Sequence, residues 1–536
     1  MVEGSNFPRR DPKNTHAWLV GSGIASLTAA IHLIKDAKVP GANIHVLDAS
    51  PDSGGGLKTH GDAIDGYFLP MDGNPHFHGG CVERLLSLIP SESDPDRSIM
   101  DVIRLRAEAE PKVVAPQARA VKLGATGVEA FLPRGIQVGI KHRMALVGLM
   151  LESETAVGTK SIEDVFDKSF FDTTFWMLWS TTFALKPCHS AAEFKRHLRK
   201  YLEDIQSLNS VKTVNRTRYN FFESAVGPLT KYLRQEDVDF RFNVRVTDLR
   251  SYPEGDPTTI SEIELLKAGQ EELITVDPMD IVLVSLGSVN AGAALGTNQT
   301  PPPGLTANWE DLMEGDWKLW GKLSNKSLKF GDPANFLSRN QQSTVETFTT
   351  TFKGPEFSSL YHKLTHDRPG TGSLLSLTES AWEITISIPH QPIFSDQPEN
   401  VTVMLGYGLN PMGVGNYVKK PMCECSGEEI LSEVLSHLGM AAQPIISTAK
   451  TIPCGMPLAT APFLTRGFHS RSAVLPPRTT NVACVGQFVD IPGDTTLEVE
   501  YSVRGAQIAV AELMGLPEKP PKPPRSLLME IFDLMV

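Results

Sequence analysis

Leu19-Val-Gly21-Ser-Gly23-Ile-Ala-Ser26-Leu-Thr-Ala-Ala is the stretch on which the fold turns. It follows His16-Ala-Trp-Leu-Val, a short apolar run that reads as a buried strand. It leads into Ile24 to Asp36, where apolar residues recur at helical spacing. The pattern is G-x-G-x-x-G with serine in the third place. Gly21 permits the tight turn, Gly23 lets a pyrophosphate approach the backbone, and a small side chain at Ser26 keeps helix and strand close. The helix N-terminus then faces the phosphates. Ala42-Asn-Ile-His-Val-Leu-Asp48 reads as a second strand ending in an acid. A carboxylate there holds ribose hydroxyls and repels a 2′-phosphate. Strand, glycine turn, helix, strand and terminal acid together make one βαβ unit that binds a dinucleotide.

Three features favour FAD over NAD. The unit lies at the extreme N-terminus, and Ser53-Gly54-Gly55-Gly56 follows the acid closely. A second glycine-ended strand, Val282-Leu-Val-Ser-Leu-Gly287, comes far downstream. A third, Val482-Ala-Cys-Val-Gly486-Gln-Phe-Val-Asp490, returns near the C-terminus ahead of a helix. The cofactor residues expected are therefore Gly21, Gly23, Ser26, Asp48, Gly55, Gly56, Gly287, Gly486 and Asp490, with Val244 or Val246 offering backbone bonds to adenine. The expected fold is α/β: a Rossmann-like FAD-binding domain with an inserted mixed α/β substrate domain and helical elements. Its parts are residues 17–135, 236–300 and 441–516. Between them fall a mainly helical substrate-channel region, 136–235, and an α/β substrate-binding region, 301–440. A proline-rich tail, 517–536, ends the chain.

Composition narrows the function. The 536 residues carry a formal charge of −12, so a broadly basic surface for nucleic acid is not expected. Hydrophobic residues make up 41%, an ordinary globular balance, with no apolar run of membrane-spanning length and no signal-like N-terminus. Six scattered cysteines form neither a disulfide framework nor a zinc ligand set. A cytoplasmic protein with free thiols and no metal site is the expectation. Lys519, Lys522 and Arg525 beside the apolar end Leu527 to Val536 suggest a weak peripheral membrane contact.

Longer segments carry a resemblance. Phe170-Phe-Asp-Thr-Thr-Phe-Trp, Trp179-Ser-Thr-Thr-Phe-Ala, His189-Ser-Ala-Ala-Glu, Pro389-His-Gln-Pro, Tyr417-Val-Lys-Lys-Pro-Met-Cys-Glu-Cys and Val499-Glu-Tyr-Ser-Val-Arg are examples. The chain resembles the oleate hydratases, or myosin-cross-reactive antigens, from about Ala17 to Pro520. The resemblance implies an FAD protein that adds water across the cis double bond of an unsaturated fatty acid, without net redox change. It also implies a homodimer and a long apolar substrate channel. Hydration needs an acid at one alkene carbon and a base-held water at the other.

The resemblance also shows what has changed. The family's loop reads Arg-Gly-Gly-Arg-Glu-Met, its glutamate activating water. Here the stretch is Gly66-Tyr-Phe-Leu-Pro-Met-Asp72-Gly-Asn74-Pro-His76-Phe-His78, which has no glutamate. Asp72 is the nearby carboxylate. The family's proton-donating tyrosine falls on His197, which can donate or accept near neutral pH. Asp72, His76, His78 and His197 are thus the candidate proton-transfer cluster, the alternative for the two loop histidines being a plain surface loop. For the fatty acid head, Thr460 matches the family and Arg466 falls on a basic position. Pro462 and Phe221 replace groups able to hydrogen-bond. Phe175, Trp176, Trp179 and Phe183 recur at helical spacing, either as plain core or as channel lining. A hydratase with a rebuilt acid/base pair leads. A double-bond isomerase or cyclase, a redox flavoenzyme, and a non-catalytic lipid-binding flavoprotein are the alternatives.

Overall fold

Ala17–Val20 is the middle strand of a five-stranded parallel sheet. Ile44–Leu47 and then Asp239–Arg241 lie on one side of it, Ile281–Ser285 and then Val482–Val485 on the other. Ala17 is level with both Ile44 and Ile281. The computed structural model describes residues 7–71, 79–109, 116–133, 138–201, 216–253, 258–304, 309–371, 374–467 and 469–521. Parallel sheets are covered on both faces, so their strands carry no polar alternation. Accordingly Ala17–Val20, Ile44–Leu47 and Val482–Val485 are buried throughout. Helix Ile24–Lys35 packs beside the C-terminal helix Val499–Leu513. Parallel neighbours cannot be joined by tight turns. The chain therefore leaves the sheet and re-enters it, and most of the sequence lies in the excursions.

The run Asp237 to Asp248, which alternates like one strand, is two. Asp239–Arg241 ends the parallel sheet, Asn243 takes φ 56°, and Val244–Tyr252 begins a separate antiparallel sheet with Thr259–Lys267 and Gln270–Thr275.

The excursions build a second, eight-stranded sheet. Its order is Ala294–Leu295, Lys450–Met456, Val345–Lys353, Val401–Gly408, Ile384–Ser387, Leu374–Leu377, Ala120–Gly124 and Gly127–Phe131. This corrects two expected boundaries. Residues 120–131 belong to this sheet and not to the first FAD-binding part. Lys450–Met456 belongs to it too, and not to the last part. Conversely, helix Asp316–Lys326, expected in the substrate region, buries Trp317 and Trp320 in the core of the parallel-sheet domain. Local pattern shows that a segment is a strand; the sheet it joins is a matter of distant partners.

Helices Ile140–Leu151, Thr174–Phe183 and Ala191–Tyr201 form a third body around Phe166, Phe170, Phe175, Trp176, Trp179 and Phe194. The aromatic stripe is core for most of its length: Phe175, Trp176 and Trp179 are buried, and Phe183 is partly so. No helix among the described residues is long and apolar enough to cross a membrane.

Candidate cofactor groove and active site

The turn after the first strand is held from the second. Gly21 takes φ +98°, and its N–H donates to the Leu47 carbonyl at 2.8 Å. One Asp48 carboxylate oxygen accepts both the N–H and the hydroxyl of Ser22, each at 2.6 Å. The other accepts the Ser50 N–H at 2.7 Å. Asp48 is thus the clamp of the turn as well as the acid at the strand end. Helix Ile24–Lys35 begins at Gly23 with no side-chain cap, leaving first-turn N–H groups directed outward. A Cβ built on Gly23 meets nothing within 4 Å. That open cradle at a helix N-terminus fits a pyrophosphate.

Two adjoining cavities of 390 and 340 Å³ share Gly21, Asp48, Ser50, Ser288, Ala291 and Asp316, so they form one continuous groove. One end runs along Val244, Arg245 and Val246; the other reaches Gly55, Gly56, Gly287, Gly486, Gln487, Glu498 and Ser502. Eight expected cofactor residues line it: Gly21, Gly23, Asp48, Gly55, Gly56, Val246, Gly287 and Gly486. Two do not. Ser26 is buried beneath the turn, and Asp490 pairs with Arg196 at 3.3 Å. Sequence reading missed Asp316 and Glu498, which line the groove from chain segments far from the motif. Burial, aided by the charge of Asp48, pushes Asp316 up to about 6.

Behind the groove lies a buried ionic cluster. Glu193 is fully buried on helix Ala191–Tyr201. It pairs with Arg466 and lies 3.6 Å from Arg196 and from Arg471. Burial would raise its carboxyl, but the three guanidiniums outweigh that and hold it down to about 2. Arg196 also pairs with Glu154 at 2.8 Å. Further along, Lys200 binds Glu498 at 2.5 Å, and the Tyr201 hydroxyl donates to the same carboxylate. The helix is therefore fastened to the 490–504 segment along its length.

His197 sits on this helix, 2% exposed, with Phe183, Phe463 and Tyr201 around its ring. Burial lowers its pKa, and the Glu193 backbone bond and nearby carboxylates only partly oppose that. Thr460 lies nearby, its hydroxyl donating to the Ser343 carbonyl at 3.0 Å and 3.2 Å from His189 Nε2. His189 Nδ1 accepts the Lys186 N–H at 2.9 Å, so Nε2 carries the hydrogen and donates to Thr460. The structure thus gathers His197, Thr460, Arg466 and Trp179 around one helix. Phe221 is not with them; it is buried in the core of the parallel-sheet domain.

Asp72, His76 and His78 lie outside the described residues, as do Lys522, Arg525 and the apolar end after them. The flanks of the loop are placed. Tyr67 and Leu69 donate their N–H groups to Thr351 and Thr349 of the eight-stranded sheet. Glu500 accepts the N–H groups of Cys81 and Val82 at the start of helix Gly80–Ser87. Lys519 pairs with Glu512.

The parallel sheet, glycine turn and groove define a dinucleotide-binding protein of the flavoprotein class, and solved structures share the architecture. A putrescine oxidase redesigned in its cofactor binding matches over 93% of this chain and 99% of its own, with TM-score 0.54 at 12% identity. Cyclohexylamine oxidase from Brevibacterium oxydans matches over 94% and 99%, with TM-score 0.52 at 13% identity. At that identity the likeness is one of fold. The chain belongs to the MCRA family, whose model matches residues 14–511. An oleate hydratase of Streptococcus pyogenes serotype M49 is 30% identical over 94% of this chain and 86% of its own. A linoleate hydratase of Lactiplantibacillus plantarum is 29% identical over 94% of each.

Proposed function

We propose that this protein is an FAD-containing hydro-lyase that adds water across a cis double bond of an unsaturated fatty acid. The observation that carries this reading is that two hydratases match 94% of the chain, and the family model spans residues 14–511, groove and helix Ala191–Tyr201 included. The groove supports FAD. Gly23 and the helix N-terminus would take the pyrophosphate, the Val246 backbone the adenine, and Gly486, Gln487 and Ser502 the flavin end. Bound there, FAD supplies a flat polar wall to the site. Hydration itself is redox-neutral and draws no electrons from it.

Proton transfer falls to His197, which stands among aromatic rings that exclude water and strengthen charge interactions nearby. Arg466 and Thr460 are proposed at the fatty acid head. Each would reach a carboxylate by exchanging a bond it now makes, Arg466 with Glu193 and Thr460 with His189.

The test is incubation of the FAD-loaded protein with oleic and linoleic acids, read by mass spectrometry. The expected product is heavier by one water. A product of unchanged mass with a moved double bond would replace hydration by isomerisation. No product from either acid would remove both as substrates.

A further inference from the structure

The family resemblance implies an acid at position 197, yet the structure gives the His197 ring the opposite polarity. Its Nδ1 lies 2.8 Å from the Glu193 backbone oxygen. A carbonyl oxygen only accepts, so Nδ1 carries the hydrogen and Nε2 the lone pair. The ring centroid is 5.0 Å from that of Phe183 and 5.2 Å from that of Phe463. The charged and titratable groups facing it are Glu193 and Lys200 from its own helix, Glu498 from the C-terminal segment, and His189. Burial outweighs them and favours the neutral ring. A neutral imidazole with its N–H engaged is a base.

One helical turn on, Tyr201 lies on the same face, its ring centroid 6.4 Å from that of His197. Its hydroxyl meets Glu498, which also accepts Lys200 Nζ at 2.5 Å and the Thr495 hydroxyl at 2.8 Å, and which lines the groove. Lys200 Nζ lies 5.6 Å from the centre of the Tyr201 ring. Lys200 thus counters the charge of Glu498 while its ammonium also lies over the ring of Tyr201. Tyr407 and Tyr501, by contrast, donate to backbone carbonyls, those of Thr181 and Val489.

We propose that His197 and Tyr201 are the acid/base pair of this enzyme, with the phenol one turn along from the position the resemblance implies and the histidine acting as base. The Tyr201 O–H bond breaks as the alkene π pair forms a new C–H bond. The water oxygen bonds to the other carbon while one water proton passes to His197 Nε2. The imidazolium then returns that proton to the Tyr201 oxygen, and the second water hydrogen stays on the product hydroxyl. This assignment rests on the hydratase reading.

The experiment compares FAD-loaded wild type with His197→Tyr, His197→Gln and Tyr201→Phe. Hydroxy fatty acid formation is followed across pH, with flavin absorbance and melting temperature as controls for binding and folding. A wild type that forms no hydroxy acid ends the hydratase reading; an active wild type puts the pair alone on trial. His197→Tyr places a phenol where the resemblance implies one and is expected to lose about 10²-fold or more in kcat, because it removes the base. Tyr201→Phe is expected to lose as much while keeping its flavin. Wild-type kcat/KM should fall as pH drops through the lowered His197 pKa, and the residual activity of His197→Gln should lack that limb. Near-wild-type kcat in His197→Tyr would make the position an acid and overturn the assignment. So would unchanged kcat in Tyr201→Phe, or a Tyr201→Phe loss that excess FAD restores, since that would make Tyr201 a positioning residue for the cofactor.

Discussion

The cofactor groove is built of backbone, and the cluster behind it of side chains. At the groove, Gly21, Gly54, Gly55, Gly287 and Gly486 take φ values of +98°, +119°, +54°, +62° and +100°. Those are conformations that other residues adopt at a cost. At the cluster, Glu193, Arg196, Arg466 and Arg471 come from two distant segments and meet as ions with almost no solvent. The first region fails when a side chain is added, the second when a charge is taken away. One is sensitive through its ligand, the other through its own stability.

Breaking the cluster should have the largest effect. Glu193→Gln leaves three guanidiniums buried without their central anion, and unfolding in denaturant should show a loss of about 3–5 kcal/mol. Gly23→Val tests the groove in the opposite sense. The site is open, so melting temperature should hold, while the added side chain occupies the phosphates' place. FAD affinity measured by flavin titration should fall about 10²-fold, or about 2.7 kcal/mol. A melting temperature that collapsed with it would erase the contrast between the two regions.

Glu346 sharpens the comparison. It is as buried as Glu193, but neither carboxylate oxygen has a hydrogen-bond partner among the described residues, and burial pushes it up to about 8. Its folded pKa exceeds its unfolded one, so the protonated form is favoured in the native state. Stability from that source is complete below the unfolded pKa and is lost as pH rises through the folded value. Glu346→Gln should therefore stabilise by about 1–3 kcal/mol at pH 8 and by nothing at pH 4, measured as the shift in denaturant midpoint. The smallest effect belongs to an ordinary helix cap. Ser426 and Glu429 form a capping box at helix Gly427–His437, and Ser426→Ala should cost about 1 kcal/mol. Glu346 and Ser426 lie away from groove and cluster, so neither change should alter flavin binding.

The groove was largely legible because its determinants are local. Gly21, Gly23 and Asp48 sit within one βαβ unit, and steric rules at each residue point the same way. The side-chain region was legible only in part. Glu193, His197 and Tyr201 fall at i, i+4 and i+8, so their common face could be read from spacing alone, and Tyr201 was within reach of that signal. Nothing local announces that Arg466 answers Glu193, that Asp490 answers Arg196, or that Asp316 lines the groove. Phe221, placed by resemblance at the fatty acid head, packs instead in the parallel-sheet core.

By itself the sequence determined the βαβ cofactor unit and the run of parallel strands that returns to it. Those are properties of backbone conformation, apolar period and residue identity, each carried within a few neighbours. Only the tertiary structure decided which sheet residues 120–131 join, which bonds Thr460 and Arg466 already make, and which nitrogen of His197 bears the hydrogen. Each of these depends on a partner brought close by folding, and the energy of a buried charge or hydrogen bond belongs to the pair and not to either residue alone.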